Sequence, residues 1–168
     1  MISTVGGTGA KESTREGESL MGNPLNGPRA LAVKGKTGWL ALREGNAIYR
    51  IDLQTQRIQR AAGTGAQGFT GNDGPALQAT LSGPKGITVD NRGFVIWADT
   101  ESHSIRYLDP ATSTVHLLVG TGKRGDGKEG DPLTCELSRP HGVFADRNGN
   151  LWIGDSENHR IRRLSLNR

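Results

Sequence analysis

Leu81-Ser82-Gly83-Pro84-Lys85-Gly86-Ile87-Thr88-Val89-Asp90 decides the fold, because its pattern returns 56 residues later as Leu137-Ser138-Arg139-Pro140-His141-Gly142-Val143-Phe144-Ala145-Asp146. The same frame, more diverged, stands 56 residues earlier as Leu25-Asn26-Gly27-Pro28-Arg29-Ala30-Leu31-Ala32-Val33. A second marker keeps step with it: Gly-Thr-Gly occurs at Gly7–Gly9, Gly63–Gly65 and Gly120–Gly122. Between the markers lie short apolar runs bounded by Gly, Asn, Asp or Ser, such as Trp39-Leu40-Ala41-Leu42, Phe94-Val95-Ile96-Trp97 and Leu151-Trp152-Ile153. Runs this short read as strands, not helices. Asn91-Arg92-Gly93 and Arg147-Asn148-Gly149-Asn150 supply residues that tolerate positive φ, as tight turns between strands require. Four short strands per unit, repeated three times, predict an all-β chain built as a β-propeller.

The rest of the composition agrees. The chain has 168 residues with 25 Gly and 7 Pro, well above the usual share of turn formers. No apolar run approaches the ~20 residues of a membrane-spanning helix. A single cysteine, Cys135, excludes an internal disulfide framework and a cysteine-rich zinc site, and reads as a packed loop residue. A net charge of +4 is a mild basic bias and a weak argument for nucleic acid. No charged segment followed by an apolar stretch opens the sequence, so no secretory leader is visible; for a complete chain that implies the cytoplasm.

The second and third units resemble the NHL-repeat β-propellers. The resemblance rests on Leu81-x-x-Pro84-x-Gly86-Ile87-x-Val89-Asp90 with Ala98-Asp99 and Ile105-Arg106. It rests further on Asp155-Ser156-Glu157-Asn158-His159-Arg160-Ile161-Arg162 in the third unit. The loop Gly71-Asn72-Asp73-Gly74-Pro75-Ala76 is similar to that of the long bacterial members. The first unit departs from the pattern, since Leu42-Arg43-Glu44 has lost the Ala-Asp pair, and an altered turn is expected there. The resemblance implies a non-catalytic scaffold for a protein or peptide ligand, with no cofactor. Propeller hydrolases or lyases with a metal at the channel mouth, and RNA or polyanion binding on a basic face, are the alternatives it leaves open.

The repeat places blade 1 at about residues 24–63, blade 2 at about 80–120 and blade 3 at about 136–166. Met1 and residues Ile2, Ser3, Thr4 and Val5 align with Arg57–Ala61 and Thr114–Leu118, the fourth strands of the first two units. The third unit stops after its third strand, and three blades are too few for a ring, because propellers use 4 to 8. A homodimer follows as an expectation: six blades, closed by exchange of residues 1–6 onto the partner's third blade beside Ile161 and Leu164. Further blades in a longer chain are the rival.

Arg29, Lys85 and His141 share the position after the proline and form the candidate ligand site at the channel mouth. In NHL-type amidating lyases, histidines at this position gather on zinc. A catalytic zinc needs about three protein ligands, and here only His141 is a histidine, so neither a metal site nor catalytic residues are assigned. Arg160, Arg162 and Arg163 form a candidate basic face. Asp90, Asp99, Asp109, Asp146 and Asp155 recur at strand ends, where carboxylates accept backbone N–H groups in turns. His103 and His159 take turn-packing roles. Asp126, Glu129 and Asp131 do not match a calcium loop, and the Gly-Thr-Gly triplets lack the Lys-Ser/Thr of a phosphate loop.

Overall fold

A computed structural model describes residues 1–166. Among the described residues, twelve strands form three antiparallel sheets in sequence order. Sheet 1 holds β1 (Pro28–Lys34), β2 (Thr37–Leu42), β3 (Ala47–Asp52) and β4 (Arg57–Ala62). Sheet 2 holds β6 (Pro84–Val89), β7 (Val95–Asp99), β8 (Ser104–Asp109) and β9 (Thr114–Val119). The two-residue β5 (Gly74–Pro75) lies outside β9. Sheet 3 holds β10 (Gly142–Ala145), β11 (Asn150–Asp155) and β12 (Arg160–Ser165). No helix among the described residues is long and apolar enough to cross a membrane.

The predicted four strands appear in the first two sheets. The extra outer strand β5 was not expected: it comes from the linker between units. Each linker leaves its Gly-Thr-Gly and folds over the next sheet. Gly63 N donates to Ala76 O at 3.0 Å, Gly7 N to Leu20 O at 3.2 Å and Gly120 N to Pro132 O at 3.0 Å. These three bonds are one contact repeated at the sequence period.

Side-chain alternation gives each sheet two faces. The first face of sheet 2, with Ile87, Val95, Trp97, Leu108 and Val115, buries against Trp39, Ala41 and Ile48 of sheet 1. Its other face, with Ile96, Ala98 and Ile105, buries against Leu151 and Ile153 of sheet 3 and Leu137 of the linker before it. The outward face of sheet 1 is roofed in part by Leu20 and Leu25 of the N-terminal segment, while Leu31 and Val33 stay more than half exposed. On the outward face of sheet 3, Phe144 is 61%, Trp152 40% and Ile161 79% exposed. From its mid-strand place in the sequence Trp152 reads as a core residue like Trp97. It lies one position out of step with Trp97, so it faces away from sheet 2, and its indole N–H donates to Asp146 Oδ2 at 2.9 Å.

Of the five strand-end aspartates, Asp90, Asp109 and Asp146 behave as turn acceptors, whereas Asp99 and Asp155 are buried, accept the distant Ser82 and Ser138 N–H groups and pair with Arg106 and Arg162. Asp90 Oδ1 takes the N–H groups of Gly93 and Phe94, Asp109 that of Ala111, and Asp146 those of Asn148 and Asn150. These bonds, with the one from Trp152, lower the Asp146 pKa to about 2. His103 and His159 sit at φ of 52° and 53° as left-handed caps of 3-10 turns. Cys135 is buried, as expected. Residues 1–5 form no strand, and Ile2 is 99% and Val5 62% exposed.

Candidate binding rim on the inner strands

The first strands of the three sheets stand side by side, β1 next to β6 and β6 next to β10. The approach is close enough that Gly86 N donates to His141 O at 2.8 Å, and a Cβ on Gly86 would lie 2.5 Å from that oxygen. At the proline end of these strands Arg29, Lys85 and His141 share one rim. Lys85 Nζ and His141 Nε2 are 2.8 Å apart, the ammonium donating to a neutral imidazole. Arg29 is turned aside by Glu44, at 3.1 Å.

Sequence reasoning missed the rest of the rim, although the repeat displays it. Glu44, Glu101 and Glu157 are equivalent residues of the three units. Arg43 links Glu44 at 2.9 Å to Glu101 at 3.2 Å. Arg139 grips Glu101 with two nitrogens, at 2.8 and 2.9 Å, and reaches Glu157 at 2.9 Å. Arg124 ends the chain on Glu157 at 2.9 Å. The position of Arg139 is glycine in the other units, because the backbone there has positive φ. Gly27 has φ +72°, Gly83 +62° and Arg139 43°. At Gly83 a Cβ would come within 2.9 Å of Glu101. In the third unit that space holds a guanidinium fork, which suits bidentate carboxylate pairing.

The charges leave the rim cationic. Hydrogen bonds from Arg139 hold Glu101 and Glu157 below the usual carboxylate range. Burial works against the charge of Glu44, but Arg43 and Arg29 keep it low. Burial, then Arg139, pulls the Lys85 ammonium below its usual value. Burial, then Lys85 and Arg139, does the same to His141. Three carboxylates thus face Arg29, Arg43, Arg124, Arg139 and Lys85. Lys85 makes no ion pair among the described residues.

Arg160, Arg162 and Arg163 do not make one basic face. Arg162 turns inward, with its side chain 13% exposed, and pairs with buried Asp155 at 2.7 Å. Arg160 is held by Asp126, and alternation puts Arg163 on the opposite face. Arg162–Asp155 is the counterpart of Arg106–Asp99 in sheet 2, a pair fully buried at 3.2 Å. In sheet 1 the same two positions are Leu42 and Tyr49, both buried. The charge is lost from both places at once. The altered turn expected there is present as well: residues 43–46 form a plain turn in place of the 3-10 turns at Thr100–Ser102 and Ser156–Asn158. Among the described residues no three His, Cys, Asp or Glu side chains stand close enough together to hold a metal ion.

Residues 137–164 match the NHL repeat family. The chain is 34% identical over 139 residues, 79% of its own length, to Protein SUPPRESSOR OF QUENCHING 1, chloroplastic, of Arabidopsis thaliana. It is 25% identical over 150 residues, 83% of its length, to NHL repeat-containing protein 2 of Homo sapiens. It spans 13% and 21% of these two relatives. Among solved structures, an auxiliary nutrient binding protein of Bacteroides ovatus superposes with a TM-score of 0.71 at 23% identity. That match covers 86% of this chain and 38% of the other.

Proposed function

The chain belongs to the NHL-repeat family, and from that premise we propose that it is a non-catalytic propeller scaffold whose rim binds an acidic peptide segment of a protein. One observation carries the reading. Among the described residues Lys85 makes no ion pair, and it stands at 2.8 Å from a neutral His141, its pKa lowered by burial and then by Arg139. A carboxylate arriving there gains a charge-assisted hydrogen bond and relieves repulsion already present. The arginine–glutamate line fixes the surrounding side chains, so little rotamer freedom is lost when a ligand docks.

The test is titration with a poly-glutamate peptide, read by calorimetry at several salt concentrations. Binding that weakens with salt, and weakens several-fold further in Lys85→Ala, supports the reading. No binding at low salt, or the same affinity in Lys85→Ala, overturns it. An Arg163→Ala control, on a different face, leaves the affinity unchanged if the rim is the site.

A further inference from the structure

We propose that the open edge of β12 is a two-sided strand slot, and that its occupant is the segment Met1–Gly6 of a second copy of this chain. In sheets 1 and 2 the fourth strand lies between the third strand and the linker. Ile58 and Val115 are the anchors of those fourth strands, both fully buried. On the outer side Gly17 N donates to Ile58 O at 2.8 Å, and Asp73 N to Val115 O at 2.7 Å. In sheet 3 both walls are built. The third strand is β12, and by the repeat the linker wall is Glu129 and Gly130, the counterparts of Asp73 and Gly74. Between them runs a groove of about 1040 Å³, lined by Val119, Cys135, Ile153, Ile161 and Leu164. No strand fills it among the described residues.

The repeat also identifies what fits. Residues Ile2 to Gly7 correspond one by one to Ile58 to Gly63 and to Val115 to Gly120. They have the sequence of a fourth strand, yet among the described residues they join no sheet, and Ile2 is 99% exposed. Their direction is set by the linker that follows. Residues 7–25 cover sheet 1 as residues 63–81 cover sheet 2, with the same Gly7-to-Leu20 bond. Residues 1–6 therefore leave toward whatever sheet packs on the outward face of sheet 1. That face exposes Leu31 and Val33, while the outward face of sheet 3 exposes Phe144, Trp152 and Ile161. If sheet 3 of one copy takes the place of a sheet preceding sheet 1 of the other, the two apolar faces meet and the segment falls into the slot. Done twice about a two-fold axis, the exchange gives six blades, inside the usual range.

The register is fixed by the existing pairs. Leu108 faces Val115, Tyr107 faces His116, Arg106 faces Leu117 and Ile105 faces Val119, with Leu118 as an extra residue. In sheet 3 this places Ile2 opposite Leu164, Ser3 opposite Arg163, Thr4 opposite Arg162 and Gly6 opposite Ile161, with Val5 as the extra residue. Directly opposed residues are close enough for a disulfide.

Light scattering on the 168-residue chain at micromolar concentration should give twice the 17.9 kDa of one copy. Ile2→Asp should return the single-chain mass with the β circular dichroism intact, since Ile2 is fully exposed in the lone chain. In a Cys135→Ser background, Ser3→Cys with Arg163→Cys should form a covalent dimer on oxidation. A single-chain mass, a mass of three or more copies, an undisturbed dimer in Ile2→Asp, or no cross-link between the two introduced thiols under oxidation would each overturn the proposal.

Discussion

Replacing Asp99 by Leu and Arg106 by Tyr, separately and together, tests how the repeats exchange a buried ion pair for an apolar one. Both side chains are fully buried, 3.2 Å apart. Burial pushes the Asp99 carboxyl up and the Arg106 guanidinium down, so each is the other's compensation. Removing one partner of such a pair leaves an unpaired charge and costs about 3–5 kcal/mol. The double variant copies Leu42 and Tyr49 of sheet 1 and leaves no charge behind. It still orphans Ser82 N–H, which Asp99 Oδ1 accepts at 2.7 Å. It also frees the Thr80 and Thr70 carbonyls, which Arg106 reaches at 2.8 Å. That residue of cost is about 2–4 kcal/mol. The two single losses together come to about 6–10 kcal/mol, so the cycle should show about 2–8 kcal/mol of coupling. Urea unfolding followed by far-ultraviolet circular dichroism reads all four proteins. Because a domain of this kind has only about 5–15 kcal/mol of stability, a single variant that fails to fold while the double folds gives the same answer. A double variant no more stable than the worse single variant would refute the reasoning.

Gly86→Ala should destabilise the contact between β6 and β10 by about 1–3 kcal/mol, as overpacking does, because the new Cβ meets the His141 carbonyl at 2.5 Å. A melting temperature equal to the parent's would show that the inner strands are free to part. His141 should titrate below its ordinary value of 6.5, for burial and Lys85 both disfavour its charge. A base depressed in this way contributes stability above pH 6.5 that is lost as the pH falls through that value toward the folded pKa. Lys85→Met should raise the His141 midpoint, read by imidazole NMR, and flatten stability between pH 7 and 5. An unmoved midpoint would sink the assignment of Lys85 as its neighbour.

Much of the rim was legible in the sequence. Arg29, Lys85 and His141 share a repeat position, and repeat equivalence in a regular array means spatial equivalence. Glu44, Glu101 and Glu157 were equally visible, but an acidic residue after a strand reads as solvated surface until its arginine is placed. Arg139 was harder, since only backbone geometry shows that it fills a place kept for glycine in Gly27 and Gly83. The paired change from Asp99 and Arg106 to Leu42 and Tyr49 shows only when two columns of the repeat are read together, since the loss of the aspartate alone reads as an altered turn.

The period, the strands, the turns and the carboxylates that close them follow from the sequence itself, because each depends on contacts within a few residues or on a spacing that recurs. Which face of each sheet meets a neighbour does not follow. Alternation sorts Trp97 from Trp152 and Arg162 from Arg163 into opposite faces, but only the stacking of sheet on sheet decides which face is buried. Burial then determines whether an arginine is a surface charge or half of an internal ion pair.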